Sequence, residues 1–377
     1  MGLLTLLNKS GDVFRDEHSL AFDGGDEYIN CGDMSSIEGE DDISLGIWVK
    51  YLDANPQSFI SKGSYYLSGG SFGGYYSPDS GRFRFSLDNG WFAYASDVSA
   101  NIPLNKWNHI VVTYSNTNDR VFFYFNGVKV TPGSRSGTYS SIPATSHDLY
   151  IGRDGTNYGN QKVSEAFIYN TELSDSQVKT LYNGREPYNH KEGIASGNLT
   201  AWWRMGDGTF DQKSINDIEG GIVTDMVTPT LGADIFGGKG DFSDPSYWTI
   251  TSGQSIVENG VAKWLGAGDF GEIKKSSSLT IGQMYRIDFD VNSHNGSGDN
   301  AFTLNMNNPY IEVHVGGKTG HMTAYFLAPY VHFRLYTRVD YDVVAEIDNL
   351  VVRPVNGNPG AMHNFDTAGD SFKGDTP

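Results

Sequence analysis

The chain has 377 residues and a formal net charge of −18, from 45 acidic against 27 basic side chains. That length exceeds one ordinary hydrophobic core and points to two or three domains. The charge repels a phosphate backbone, which argues against nucleic acid as a partner.

The 46 glycines, 22 tyrosines, 21 phenylalanines and 7 tryptophans suit turns and half-buried pleated surfaces. An all-β protein with antiparallel sheets follows. The acidic surface serves solubility in a salty medium and would also collect Ca²⁺. Cys31 is the single cysteine, so no internal disulfide can form, and a small buried hydrophobe is its expected role. Residues 1–9 have neither a basic leader nor a long apolar core, so no signal peptide is expected and synthesis in a cytoplasm is. No apolar run approaches the length of a membrane span, so no membrane insertion is expected.

In chain order, residues 1–15 read as an arm. Leu3, Leu4, Leu6 and Leu7 suit either a strand or short helix on the parent domain or an anchor buried in a partner. From Ser19 strand signals are dense. Leu20 and Phe22 alternate before the turn Asp23-Gly24-Gly25-Asp26, and Leu45, Ile47 and Val49 share one face. Phe83, Phe85 and Leu87 repeat the pattern, as do Val121, Phe123 and Phe125. Asn126-Gly127 then predicts a tight hairpin, because a type I′ turn needs positive φ twice. One short helix is expected near 174–183, with Ser174 as N-cap, Gln177 completing a capping box, and Gly184 as terminator. Residues 209–240 read as a turn-rich linker. A second strand series occupies 241–354, its best members around Tyr285 to Val291, Val331 to Tyr336 and Ala345 to Val352. Residues 355–377 read as a Gly/Asn/Asp/Pro-rich tail.

Several segments, taken in order, resemble a known family. Ser19 to Gly24, Lys106-Trp107-Asn108-His109-Ile110-Val111-Val112-Thr113-Tyr114, Tyr124-Phe125-Asn126-Gly127-Val128, Leu149-Tyr150-Ile151-Gly152, Ala166 to Asn170 and Leu173 to Tyr182 resemble the strands and closing helix of laminin-G-like, concanavalin A-like domains. The resemblance implies a jelly-roll sandwich over residues 16–208. One departure stands out: Val163-Ser164-Glu165 replaces the family's usual Ile-Asp-Glu, which weakens the case for a calcium site in this domain. Gly240-Asp241-Phe242-Ser243 with Trp248, and Glu346 to Val352, resemble galactose-binding-like jelly rolls of carbohydrate-binding modules. That likeness implies a structural Ca²⁺ between Asp241 and Asp348, the one cofactor expected. Trp202 to Asp207 and the closing Asp375-Thr376-Pro377 are similar to motifs of laminin-G-like proteins of marine tailed phages. In simpler relatives the two motifs lie close together, so the second jelly roll reads as an insertion.

Catalytic patterns are mostly rejected. Retaining glucanases need paired carboxylates about 5 Å apart on one strand. Glu346-Ile347-Asp348 begins their Glu-x-Asp-x-x-Glu motif, but Val351 occupies the last position. Gly316-Gly317-Lys318-Thr319 lacks the first glycine of a phosphate loop, since Glu312 stands there. The nine histidines show no metal spacing. Surface aromatics remain as candidates for stacking on sugars: Tyr65, Tyr66, Tyr75 and Tyr76 around a Gly-rich loop, and Trp264, Tyr285, Tyr330 and Tyr336 in the second series. The same residue types equally serve β-sandwich cores.

The expectation is therefore a non-catalytic virion structural protein: a capsid decoration, head fibre or tail-associated fibre. It would be present in many copies or as a homo-oligomer on the virion surface. Its partners would be other virion proteins through the arm, and host-surface glycans. A bacterial glycan-binding protein or accessory to a carbohydrate-active enzyme is the alternative, and a glucanase-like hydrolase the third.

Overall fold

The computed structural model describes residues 14, 16–63, 71–87, 92–155, 157–208, 222–223, 225–227, 230–250, 253, 255–265, 271–294, 303–305, 312–314, 319–328, 330–336, 344–363 and 375–377. Leu3, Leu4, Leu6 and Leu7 of the expected anchor lie outside the described residues, as do Tyr65 and Tyr66.

Two antiparallel sheets build the first unit. One runs Leu20–Asp23, Asn160–Tyr169, Asp42–Tyr51, Asn108–Ser115, Arg120–Phe125, Val128–Val130, with Leu199–Trp203 also paired to Asn160–Tyr169. The alternation at Leu45, Ile47 and Val49 sends these side chains into the core between the sheets. Asn126 and Gly127 both take positive φ, 54° and 75°, and close the hairpin joining the last two strands. The opposing sheet runs Ser134–Ser136, Phe92–Ala95, Arg82–Leu87, Phe72–Ser77, Gln57–Lys62, Leu149–Ile151, Tyr28–Asn30, Gly360–His363, Ile222–Val223. Phe59, Phe83, Phe85, Phe123 and Phe125 fill the space between, with Cys31 buried and free at the edge of the same core.

The helix spans Asp175–Tyr182, capped by Ser174 with the full capping box to Gln177. Asn183, with φ 46°, takes the left-handed cap one residue before Gly184. Val178 and Leu181 face a second cluster on the outer side of the first sheet, with Val111, Tyr124, Phe167, Tyr169 and Trp202. Gly46 is required there: a Cβ would lie 2.0 Å from the Phe167 ring.

The last two strands of the opposing sheet correct the expected division. Ile222–Val223 falls in the stretch read as linker 209–240, and Gly360–His363 in the stretch read as tail 355–377; they pair with each other, and Gly360–His363 pairs with Tyr28–Asn30. Asp225 fastens the junction. Its carboxylate accepts from the backbone N–H of Trp202 (3.1 Å), Val227 (3.0 Å) and Asn358 (3.0 Å). Trp203 Nε1 donates to the carbonyl of Asn358 at 2.7 Å. The first sandwich is therefore discontinuous in sequence, and the second unit is an insertion between its last two strands.

That second unit starts before residue 241. Leu231 bridges to Val355, and Phe236 is core. A three-stranded sheet, Thr249–Ile250, Glu272–Lys275, Phe333–Tyr336, and a five-stranded one, Ser255–Glu258, Val261–Leu265, Val344–Pro354, Met284–His294, Gly320–Leu327, enclose a core of Trp248, Trp264, Ile287, Phe289, Phe333 and Ile347. A small cluster of Ile222, Met284, Tyr325, Val355 and Ala361 joins residues of both units. Among the described residues, no helix is long and apolar enough to cross a membrane.

Candidate functional site

Strand alternation that sends Phe83, Phe85, Ala93 and Ala95 inward leaves their neighbours on the outer face of the nine-stranded sheet. Tyr94 and Phe92 are stacked there, 6.3 Å apart with ring planes 12° from parallel. Arg82 lies over Tyr94 at 4.6 Å, and Arg84 over Phe92 at 4.3 Å. Register places Tyr75 opposite Arg84 and Ser77 opposite Arg82. Further along the same sheet are Tyr28 and Tyr150; Arg153, from a separate two-stranded hairpin with Tyr158, sits 4.7 Å from the Tyr28 ring, 4.9 Å from Tyr150 and 5.7 Å from Tyr158. Aromatic faces held flat by guanidinium groups offer stacking surfaces beside hydrogen-bond donors. Burial lowers the pKa of Arg84, yet an arginine stays charged at any physiological pH.

The sequence candidates divide sharply. Tyr75 is half-buried on this outer face. Tyr76, the next residue, points the other way: it is core, 1 % exposed, beside Tyr51, and donates to the carbonyl of Ile102. Trp264 is also core, 1 % exposed, with Nε1 donating to the Gly271 carbonyl at 2.9 Å. Tyr285 is buried and stacked on Phe326. These three cannot stack on a ligand. Tyr330 is exposed. The Tyr336 backbone pairs with Glu272, and its side chain lies outside the described residues. The rings at Phe92, Tyr94, Tyr28, Tyr150 and Tyr158 went unnoticed in the sequence. For Phe92 and Tyr94 the signal is alternation on two adjacent strands, Arg82 and Arg84 on one and the two rings on the next, with Arg84 in register with Tyr94.

The calcium candidates are engaged locally. Asp241 accepts from Ser243 N and Oγ at 3.1 and 2.8 Å, which lowers its pKa, and Asp348 accepts from Asn349 N at 2.6 Å. Their segments adjoin, since a Cβ on Gly240 would meet the Leu350 carbonyl oxygen. Among the described residues, no group of three or more His, Cys, Asp or Glu gathers as a metal site.

A carboxylate cluster lies on the other side of the sandwich. Glu165 sits in a bulge of Asn160–Tyr169 with φ 48° and is fully buried. It accepts from Arg204 Nε at 3.0 Å and from Trp202 Nε1. Ser164 Oγ donates to Asp16 at 3.0 and 3.1 Å, which sets a second carboxylate beside Ser164 and Glu165. Asp207 accepts from the backbone N–H of Glu17 and His18 at 2.7 and 3.0 Å and pairs with His18 Nδ1 at 2.7 Å. Arg204 also stacks over Phe14 at 4.4 Å. Burial raises the Asp16 carboxyl to about 9, helped by the charges of Glu165 and Asp207 and opposed by Ser164. Burial raises Glu165 too, against the pull of Arg204. Both carboxyls are thus harder to ionise than free ones, Asp16 the more so for lacking a cation of its own. The cluster thereby ties the start of the described chain to the Trp202-to-Asp207 stretch.

No curated protein matches the sequence. Among solved structures, a heptameric SAP-like pentraxin from Limulus polyphemus is 17 % identical, covering 48 % of this chain and 86 % of its own, with TM-score 0.37. A putative carbohydrate binding protein from Bacteroides ovatus is 14 % identical, covering 56 % of each chain, with TM-score 0.40. The Ruminococcus gnavus IT-sialidase CBM40 bound to α2,3 sialyllactose is 14 % identical, covering 44 % of this chain and 95 % of its own, with TM-score 0.34. Residues 23–179 match the family described as the concanavalin A-like lectin/glucanases superfamily, and the first sandwich is a concanavalin A-like jelly roll.

Proposed function

We propose that this protein binds carbohydrate without chemistry, through the outer face of the nine-stranded sheet. The observation that supports it is the stacked pair Phe92 and Tyr94 backed by Arg84 and Arg82. A sugar ring stacks on an aromatic face while guanidinium groups donate to its hydroxyls or carboxylate. Isothermal titration against neutral and anionic oligosaccharides tests this. Tyr94→Ala and Arg82→Ala should each weaken binding about tenfold, the loss of roughly one such contact, at unchanged melting temperature. If no oligosaccharide binds, or if both variants bind as the parent does, the face is not the site.

The display of that face on a virion surface, as a capsid decoration or fibre, is the finer reading. Its support is the phage-like motif pair: Asp375 and the Trp202-to-Asp207 stretch are both built into the first sandwich. Mass spectrometry of purified particles should find the protein as a stoichiometric component. The galactose-binding-like reading of the second unit, with Ca²⁺ held by Asp241 and Asp348, predicts a higher melting temperature in Ca²⁺ than in chelator, because a ligand of the native state stabilises it.

A further inference from the structure

In a chain with 45 acidic and 27 basic side chains, carboxylates are plentiful partners for arginine. Arg120, Arg204 and Arg286 each donate to one, Glu172, Glu165 and Asp288, at 2.6, 3.0 and 2.7 Å. Arg82 and Arg153 differ. Arg82 is exposed, and among the described residues it forms neither a hydrogen bond nor an ion pair; it lies over the Tyr94 ring. Arg153 uses Nε on the Gly155 carbonyl at 2.6 Å, and among the described residues its two terminal nitrogens have no hydrogen-bond partner. Ser61 Oγ donates to the Arg153 carbonyl at 2.7 Å and ties its hairpin to Gln57–Lys62. An aromatic ring holds a guanidinium by its flat side. That contact leaves the N–H edge, which takes an oxyanion in two parallel bonds. A side chain already pinned against a ring also loses less freedom when the anion arrives.

The two arginines stand well apart on one face. In the nine-stranded sheet, Phe92–Ala95 and Leu149–Ile151 are separated by four strand spacings, about 19 Å. Tyr94 carries Arg82 at the first position, and Tyr150 carries Arg153 at the second. One sugar ring cannot touch both, whereas a chain of sugars can. A neutral sugar is held by stacking and by neutral donors, and gains little from two cations left without carboxylates. An acidic one gains a charge-assisted pair at each. The protein as a whole, at −18, repels such a ligand from a distance. Physiological salt screens exposed charges beyond about 8 Å, so the arginines in contact decide the outcome.

We infer that the outer face of this sheet takes an acidic polysaccharide, with a carboxylate or sulfate of one sugar on Arg82 and that of a later sugar on Arg153. The inference rests on the carbohydrate-binding reading and adds the charge and the length of the ligand. Once one acidic group is seated, the next is tethered near the second arginine, so a chain long enough to span both binds more tightly than a short one.

The test uses the full chain and probes in matched pairs: galacturonate oligomers with their methyl esters, and sulfated galactan oligomers with their desulfated forms, each as a disaccharide and as a long oligomer. In calorimetric titration a long acidic oligomer should bind at least about tenfold tighter than its uncharged partner. It should also exceed the acidic disaccharide by about tenfold or more. Arg82→Gln and Arg153→Gln each keep a donor and lose the charge. Either should remove the gain from length and leave the uncharged form bound as before. The ratio of acidic to uncharged form is read on one and the same protein, so a misfolded variant does not imitate the result. Equal binding of acidic and uncharged partners, both weakened in Tyr94→Ala, would overturn the acidic ligand and keep carbohydrate binding on this face. Binding of neither would overturn both. Acidic binding that shows no gain from length, or that survives both arginine variants, would overturn the joint use of Arg82 and Arg153. Equal competition by a DNA oligonucleotide would overturn the glycan and leave a general polyanion face.

Discussion

Replacing Asp16 by asparagine should make the protein more stable at alkaline pH and leave it little changed in acid. Asp16 is held protonated in the folded chain, raised to about 9, whereas an unfolded aspartate releases its proton near pH 4. Between those limits the native state binds one proton more than the unfolded state. Stability therefore falls as pH rises, by at most about 1.4 kcal/mol per pH unit for one proton. From pH 6 to pH 8 the wild-type chain should lose up to about 3 kcal/mol through this group. Asparagine keeps a donor facing Glu165 and an acceptor for Ser164 but binds no proton. Urea unfolding followed by tryptophan fluorescence at pH 6, 7 and 8, on both proteins, gives the difference directly. Contributions from the buried histidines are common to both and cancel. A difference that stays constant across the three pH values would refute the raised Asp16 carboxyl.

Asp225→Ala should destabilise the first sandwich by about 3 kcal/mol or more, since it strands the N–H groups of Trp202, Val227 and Asn358 together; calorimetry reads the shift. His109→Phe should stabilise by about 1 kcal/mol at pH 7, because both ring nitrogens of His109 are buried beside Trp48, Phe167 and Tyr182 without a hydrogen-bond partner among the described residues. Burial pushes the His109 pKa down to about 3, so the unfolded chain alone takes up this proton below about pH 6.5. The advantage of phenylalanine should therefore widen at pH 5, and thermal melts at the two pH values check it.

What the sequence made legible was local. Asn126-Gly127 and the Ser174–Gln177 capping box each carry their signal within a few residues, and both form as read. The alternation of strands also showed which positions share a face, though not which face meets the core. Tyr75 and Tyr76 are neighbours with opposite fates for that reason. Ile222–Val223 is too short to show a period, and Gly360–His363 sits among turn residues, so in the sequence the closing edge of the first sandwich looks like linker and tail. The carboxylate beside Ser164 comes from Asp16, almost 150 positions away, and no local pattern announces such a pair.

The two connections to the second unit leave the first sandwich side by side, from Val223 and into Gly360. Mechanically this is a hairpin with a whole folded body as its loop. A pull on that body loads both strands from the same end, so their ladder opens by peeling rather than by shear. Ile222–Val223 lies at the sheet edge and would part first, while Gly360–His363 remains held by Tyr28–Asn30 on its other side. Tension on the second unit is thus taken up by a sacrificial edge, and the main sheets of the first sandwich are spared.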